Sequence, residues 1–367
     1  MILSNEKKKI ALIGYRLSGG GSDKVMANLS LFLAKQGFEI DIIIVLNEVS
    51  FPYTGKLVNL GLLKNNSNGL FNKAKRLKAL NDYLQSNKFD FIIDFRFRTK
   101  ILQELILARF IYNAPTIFTI HSFLIDHYMP NNSWLTRLMY NHCLANVALG
   151  EEMKSLIEKK HQLKNVVTIP NPVYLEEILE KQDEEIELNF DFILAVGQYE
   201  NEIKQFDKLI SSYGKSILSQ KNIHLVIIGE GDQSKLKTII LENEVSEFVH
   251  LLGYQNNPFQ FMKRARFLVL CSKNEGFPNV ILESLACKTP VVSFDCDFGP
   301  RDMIQNLKNG ILVENQNWEK LTEAMNLLVL DEVLYHEIKE NTFESIKPFS
   351  LEKIGDLWMD LLQKHIE

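Results

Sequence analysis

The strongest constraint on this chain is a rhythm that runs from one end to the other and is broken once. Short runs rich in β-branched and other apolar residues alternate with longer amphipathic stretches. In the first half, strands are expected at 9–14, 39–46, 90–95, 115–120, 145–149 and 165–169. Helical spacing falls near 22–36, 71–87, 99–111, 132–143 and 151–160. The strand runs are almost continuously apolar, as they are when a sheet is covered on both faces. Strand–helix alternation of this kind builds a parallel sheet with helices on either side. Pro170-Asn171-Pro172 then interrupts the pattern, because neither a helix nor a central strand tolerates those prolines. Residues 174–188 are acidic and polar. The rhythm restarts with strands at 192–197, 223–229, 248–252, 266–271, 290–294 and 311–313, and with helices at 202–219, 232–243, 256–264, 279–287 and 317–329. A last amphipathic stretch, 350–366, carries Leu351, Ile354, Leu357, Trp358, Leu361 and Leu362 on one face. It fits either a domain junction or the core of one domain. The expected organisation is an α/β chain of two doubly wound, Rossmann-like domains, 1–172 and 173–348, facing a central cleft, with a terminal helix at 349–367.

Composition supports two independent cores: 367 residues, 46% of them hydrophobic, need no covalent staples. The four cysteines form no CxxC pair, which argues against a disulfide framework or a structural zinc site and for a reducing, cytoplasmic setting. The opening run Met1–Lys9 has no apolar stretch of signal-peptide length, and the longest membrane-span candidate, 101–125, is broken by Glu104 and Arg109. The net charge of −5 hides an asymmetry. Residues 1–172 hold 22 basic against 13 acidic side chains, and the remainder holds 19 against 33. The first half is therefore expected to meet something anionic, and nucleic acid and an anionic membrane surface both fit.

Ligands of doubly wound sheets bind outside the carboxyl ends of the strands, so the loops there carry the chemistry. After the first strand comes Gly14-Tyr15-Arg16-Leu17-Ser18-Gly19-Gly20-Gly21-Ser22. Its glycines would let backbone amides approach an anion at a helix start, although neither GxGxxG nor GxxxxGK[ST] is present. A flexible loop is the competing reading. The second constellation is Cys271 to Ala286. A strand ends, a loop carries Glu275, and Pro278 stands where a helix begins, with Glu283 about one turn inside it. Free amides around Phe277, Asn279 and Val280 can hold a diphosphate, and each carboxylate can accept two hydrogen bonds from a vicinal diol.

The run Glu275-Gly276-Phe277-Pro278-Asn279-Val280-Ile281-Leu282-Glu283-Ser284-Leu285-Ala286, followed by Lys288-Thr289-Pro290-Val291-Val292, resembles the ExxxxxxxE signature of retaining glycosyltransferases of family 4, which have the two-domain GT-B fold. Gly19-Gly20-Gly21 resembles that family's N-terminal glycine motif, and Ile169-Pro170-Asn171-Pro172-Val173 its interdomain linker. Ile228-Gly229-Glu230-Gly231-Asp232 and Leu252-Gly253-Tyr254 fall in the family's order. The resemblance implies that Glu275 holds hydroxyls of a donor sugar and Glu283 a nucleotide ribose. It implies that amides from Gly276 to Val280, together with Gly20 and Gly21, meet the donor diphosphate, that Lys204 neutralises the leaving phosphates, and that His121 contacts the sugar near the reacting carbon. Where the family commonly places Arg after the Val196-Gly197 turn, this chain has Gln198, which can donate hydrogen bonds but brings no charge. Asp295-Cys296-Asp297 spells a DxD metal motif of a different fold and reads here as a polar loop. Neither a metal nor another cofactor is expected.

The expected activity is retaining transfer of a sugar, UDP-linked by family frequency, to a hydroxyl of a glycan or lipid-linked acceptor in bacterial polysaccharide assembly. Arg96, Arg98, Asp126 and His127 are the candidate acceptor-binding residues. Lys73, Lys75, Arg76 and Lys78 form either a second anion-binding cluster or a solvated helix face. An enzyme of this kind would work in the cytoplasm, peripherally on the inner face of the membrane, with nucleotide sugar and acceptor as its partners. The rival readings are a nucleotide-sugar epimerase on the same scaffold, a non-catalytic sugar-nucleotide binding protein, and a nucleic-acid binder. The last lacks the aromatic stacking motifs it would need, so no nucleic-acid partner is expected.

Overall fold

The computed structural model describes residues 7–64, 69–200 and 202–365; the N-terminal reading of Met1–Glu6 lies outside them. The chain divides into two compact units: Met1–Pro172 with Leu351–Glu367, and Val173–Ser350.

The first unit is built on seven strands: β1 (Lys9–Gly14), β2 (Glu39–Ile44), β3 (Lys56–Asn59), β4 (Phe91–Asp94), β5 (Thr116–Thr119), β6 (Ala145–Ala148) and β7 (Val166–Thr168). They run parallel in the order β3-β2-β1-β4-β5-β6-β7. Chain order reverses beside β1, so the switch point lies between β1 and β4. The interior of β1 and β2 is wholly buried, as continuous apolar runs require. The short edge strand β3 was not expected; Leu57 and Val58 alone leave too little pattern to see. Around the sheet lie α1 (Gly21–Lys35), α2 (Gly69–Ser86), α3 (Ile101–Ile106), α4 (Ser133–Tyr140) and α5 (Glu151–His161). The helix expected over 99–111 ends at Ile106 and widens into a turn over Leu107–Ile111, closed by the Tyr112 amide on the Leu107 carbonyl at 2.9 Å.

The second unit repeats the plan with six parallel strands: β8 (Asp191–Val196), β9 (Ile223–Ile228), β10 (Val249–Gly253), β11 (Leu268–Leu270), β12 (Val291–Asp295) and β13 (Gly310–Glu314), ordered β10-β9-β8-β11-β12-β13. Its switch point lies between β8 and β11. Its helices are α6 (Leu175–Lys181), α7 (Phe206–Gly214), α8 (Ser234–Glu242), α9 (Phe259–Arg264), α10 (Asn279–Ala286), α11 (Pro300–Met303), α12 (Trp318–Leu330) and α13 (Glu332–Ser345). The sequence reading missed α6 and α13, as well as the four-residue α11. The first buries only Ile178, and the second only Tyr335, Ile338 and Thr342, too few apolar residues for a clear stripe.

The terminal helix α14 (Leu351–Gln363) belongs to the first unit. Leu351, Ile354, Trp358 and Leu362 recur at helical spacing and are buried. Gly355 is where α14 meets α1. A Cβ there would collide with the Phe32 ring, so glycine sets how closely the two helices approach.

Candidate active site

In the second unit, the residues singled out by sequence gather at the carboxyl ends of β8 and β11. The Lys204 Nζ lies 2.7 Å from Glu275 Oε1, with the two side chains 19% and 14% exposed. Backbone ties hold the two loops in register. The Lys273 amide donates to the Ile203 carbonyl at 2.8 Å, and Gln205 Nε2 donates to the Cys271 carbonyl at 3.0 Å. The Cys271 thiol, pushed up to about 12 by burial, donates to the Lys204 carbonyl. Gly197 makes room for the lysine, since a Cβ on it would sit 3.1 Å from the Lys204 stem. Lys208, one turn further on, donates to Gln205 Oε1 at 3.0 Å and lies over the Trp318 ring. Gln198 is exposed.

Behind Glu275 the loop runs through Gly276 into α10. Phe277 is buried against the Phe349 ring, which anchors the loop. Pro278 precedes the helix, and no side chain caps α10 or places an acid in its first turn. Its first amides therefore present the positive end of the helix to an anion. Asn279 and Val280 stand at that end, and Glu283 follows in the next turn, half-buried. The loop after β12 braces this segment. Gly299, at φ +93°, lies so close that a Cβ would fall 2.6 Å from Pro278 Cδ. Asp295, the first residue of the DxD triplet, is taken by Arg301 at 2.8 Å. Among the described residues no cluster of three or more His, Cys, Asp or Glu side chains could hold a metal ion.

In the first unit, His121 follows β5 and stacks on Phe95 with ring centroids 5.5 Å apart. Both ring nitrogens are buried, and among the described residues neither makes a hydrogen bond of good geometry, although the Asn171 side chain stands within reach. Burial, aided by the charge on Arg98, pushes its pKa down to about 3, so the ring is neutral at physiological pH. An unsatisfied buried polar group costs about 1–3 kcal/mol, an outlay that a ligand hydroxyl would recover. Asn171 of the Pro170–Pro172 stretch lies beside the ring; neither Asn171 nor Phe95 had been assigned to the site from sequence. Gly20 and Gly21 start α1, again with no side-chain cap. The loop before them is pinned by Arg16, which reaches Asp23 at 3.3 Å and Glu48 at 2.7 Å.

The candidate acceptor residues separate into two kinds. Asp126 and His127 are exposed, Asp126 paired to Lys160 at 2.7 Å. Arg96 and Arg98 do not form the expected surface and are corrected here: they are 3% and 1% exposed. The Arg96 guanidinium is consumed by Asp94 at 2.7 Å, Glu104 at 2.9 Å and Tyr112 at 3.0 Å. Arg98 donates to the carbonyls of Tyr128, Arg96 and Thr119 and lies against the rings of Phe118, Tyr128 and Tyr140. With Nε and Nη2 of Arg96 and all three nitrogens of Arg98 bonded inside the protein, the two side chains serve the interior rather than an exposed basic surface.

Residues 176–345 match the family model described as Glycosyl transferases group 1, and residues 19–177 match Glycosyltransferase Family 4. The chain belongs to glycosyltransferase family 4. This glycosyltransferase is 28% identical over 365 residues to the N-acetylgalactosamine-N,N'-diacetylbacillosaminyl-diphospho-undecaprenol 4-alpha-N-acetylgalactosaminyltransferase of Campylobacter jejuni, with 95% of this chain and 97% of that protein covered. It is 22% identical over 364 residues to the amylovoran biosynthesis glycosyltransferase AmsD of Erwinia amylovora, covering 97% and 99%. Its relatives are thus bacterial polysaccharide glycosyltransferases. Its fold is GT-B, shared with Anabaena HepE solved with UDP-glucose at a TM-score of 0.75, 16% identity and coverage of 97% and 99%. Among its described residues no helix is long and apolar enough to cross a membrane.

Proposed function

We propose that this glycosyltransferase transfers a sugar with retention of configuration from a UDP-sugar to a hydroxyl of a lipid-linked glycan in polysaccharide assembly. The observation that carries the reading is the Lys204–Glu275 pair at the β8/β11 switch point, next to the uncapped start of α10. A diphosphate placed there meets a lysine and a helix N-terminus, and both oppose the charge that builds on it as the glycosidic bond breaks. Once Lys204 turns to phosphate, the Glu275 carboxylate is released to accept from sugar hydroxyls. Glu283 is assigned to the ribose, and His121, held neutral, to a sugar hydroxyl. No metal or other cofactor enters this scheme, because fixed protein charge supplies the field. The UDP assignment is supported by the UDP-glucose named for Anabaena HepE, and the lipid-linked acceptor by the diphospho-undecaprenol named for the Campylobacter relative.

The test is a panel of nucleotide sugars ranked by thermal shift, followed by transfer assays in which the anomeric configuration of the product is read by NMR. Stabilisation by UDP-sugars and an α-linked product from an α-linked donor are expected. Inversion, or conversion of the donor without any acceptor, would refute the reading.

A further inference from the structure

Strand β11, whose loop carries Glu275, is flanked in the sheet by β8 on one side and β12 on the other. Lys204 comes to the site from β8, and the loop after β12 closes on it from the opposite side. Gly299 presses on the Glu275 loop: a Cβ there would lie 3.1 Å from Phe277 Cα and 3.5 Å from the Gly276 carbonyl oxygen. Cys296 of the same loop is wholly buried. Its thiol is pushed up to about 12 by burial and by the charge of Glu275, while the charge of Lys204 pulls it the other way. Both members of the Lys204–Glu275 pair are therefore felt inside this loop.

Arg301 stands two residues beyond Gly299. Its Nε donates to Asp295 Oδ1 at 2.8 Å, and the two side chains are 43% and 33% exposed. A pair this open contributes little to stability, so Asp295 can be exchanged for another anion at low cost. The planar fork of an arginine also matches phosphate oxygens two at a time, which a lysine cannot do. The site has a use for it. Lys204 brings one charge and the start of α10 only about half a charge, while Gln198 at the turn after β8 brings none. A nucleoside diphosphate leaves with more negative charge than these oppose. The other cations on helices next to the site lie on α7 and α8, across β8 from α10, and are engaged there: Lys208 by Gln205 and the Trp318 ring, Lys235 by Asp207 at 3.4 Å.

We propose that Arg301 leaves Asp295 when the donor binds and contacts the sugar-linked phosphate, supplying from β12 the charge that Gln198 does not supply from β8. The inference deepens the transferase reading and rests on it. It makes Arg301 a second cation on the leaving group, placed across β11 from Lys204. It also gives Asp295 a purpose: the carboxylate holds the guanidinium beside the Glu275 loop until a phosphate replaces it.

The test titrates UDP and UMP, which differ by the phosphate in question, into the full chain by calorimetry. The proteins are the wild type, Arg301→Gln, Lys308→Gln and the double variant Gln198→Arg/Arg301→Gln. Arg301→Gln should weaken UDP by about tenfold and leave UMP within about twofold of wild type. Lys308 is exposed on the same β12–β13 connection, and its loss should move neither ligand by more than about twofold, as expected if contact rather than long-range charge dominates. The added arginine of the double variant should return UDP affinity to within about threefold of wild type, and turnover with it; an arginine needed only to fold the loop would not be replaced from another strand. Equal losses for UDP and UMP, no loss, or a loss that Gln198→Arg does not recover would overturn the assignment. So would unchanged UDP binding with a raised KM for the acceptor, which would move Arg301 to the other substrate. UDP binding alike to wild type and Arg301→Gln leaves the donor reading standing and this one fallen. If the wild type binds no UDP, the donor reading fails instead, and inorganic diphosphate titrated into the same proteins still reads the arginine, with the same loss expected and its absence fatal.

Discussion

The two sheets share a strand order, yet they use charge at their switch points in opposite ways. At the end of β4, Asp94, Arg96 and Glu104 are each no more than 4% exposed and bonded to one another. Burial alone would raise the Asp94 pKa, but Arg96 and Arg98 outweigh it and hold it below the ordinary carboxylate range. Across β8 and β11, Lys204 and Glu275 form a single contact and keep part of their surface open. The first arrangement spends most of its charge on internal partners. The second can exchange one partner for another when a phosphate or a hydroxyl arrives. Equal topology therefore does not imply equal function; what matters is whether the charges at the crevice are already satisfied.

Removing one member from each cluster separates the two roles. Arg96→Ala strands two carboxylates in the interior, and breaking a buried pair in this way costs about 3–5 kcal/mol. For a unit of this size that is a fall of roughly 10 °C in melting temperature, measurable by calorimetry. A melting curve indistinguishable from wild type would mean that the β4 network is not structural, and the contrast would collapse.

Lys204→Ala should do the reverse. Losing one fixed donor to developing charge lowers turnover by about 10²–10³-fold, whereas a pair that still meets solvent contributes only about 1 kcal/mol to folding. Glu275→Gln should also lose turnover with little change in melting. Steady-state transfer rates set beside melting temperatures decide the matter. Full activity in both variants would remove the site from β8 and β11.

The sequence showed where strands and loops fall because apolar runs covered on both faces leave an unmistakable pattern, and because Pro278 and the glycines mark turns with few alternatives. It placed Glu275 in the loop after a strand for the same reason, whereas Lys204 fell inside the expected helix 202–219 and came to the site only through the family resemblance. What it could not show is which way a charge at a strand end points. Arg96 and Arg98 alternate with Phe95 and Phe97, a pattern equally suited to an exposed basic edge. Only the approach of Glu104 and Tyr112 from α3 and the turn after it, and of the Tyr128 and Thr119 carbonyls, turns both arginines inward. Such partners are distant in sequence and carry no local signal. The poorly satisfied ring of His121 was invisible for the same reason, since satisfaction is a property of neighbours.

The smallest effect tests whether the first unit also holds a charge in reserve. Asp23, next to Gly20 and Gly21 at the start of α1, is raised to about 6 by burial, against the pull of Arg16. Because the folded pKa lies above the unfolded one, the folded state binds this proton more tightly. The stability it contributes is complete below about pH 4 and is lost as the pH rises through about 6. Roughly two pKa steps amount to about 2–3 kcal/mol. Glu104, also raised by burial, titrates alongside it, so the quantity to measure is the difference between wild type and Asp23→Asn. Because His121, His161, His224 and His250 are held below their ordinary values and gain stability with rising pH in both proteins alike, the measure is the stability of the wild type minus that of Asp23→Asn from urea melts across pH 4 to 7, which should fall as the pH rises. Parallel pH profiles would mean that Arg16 already compensates the carboxylate in full, and the glycine loop would then resemble the closed β4 cluster rather than the open pair at β8 and β11.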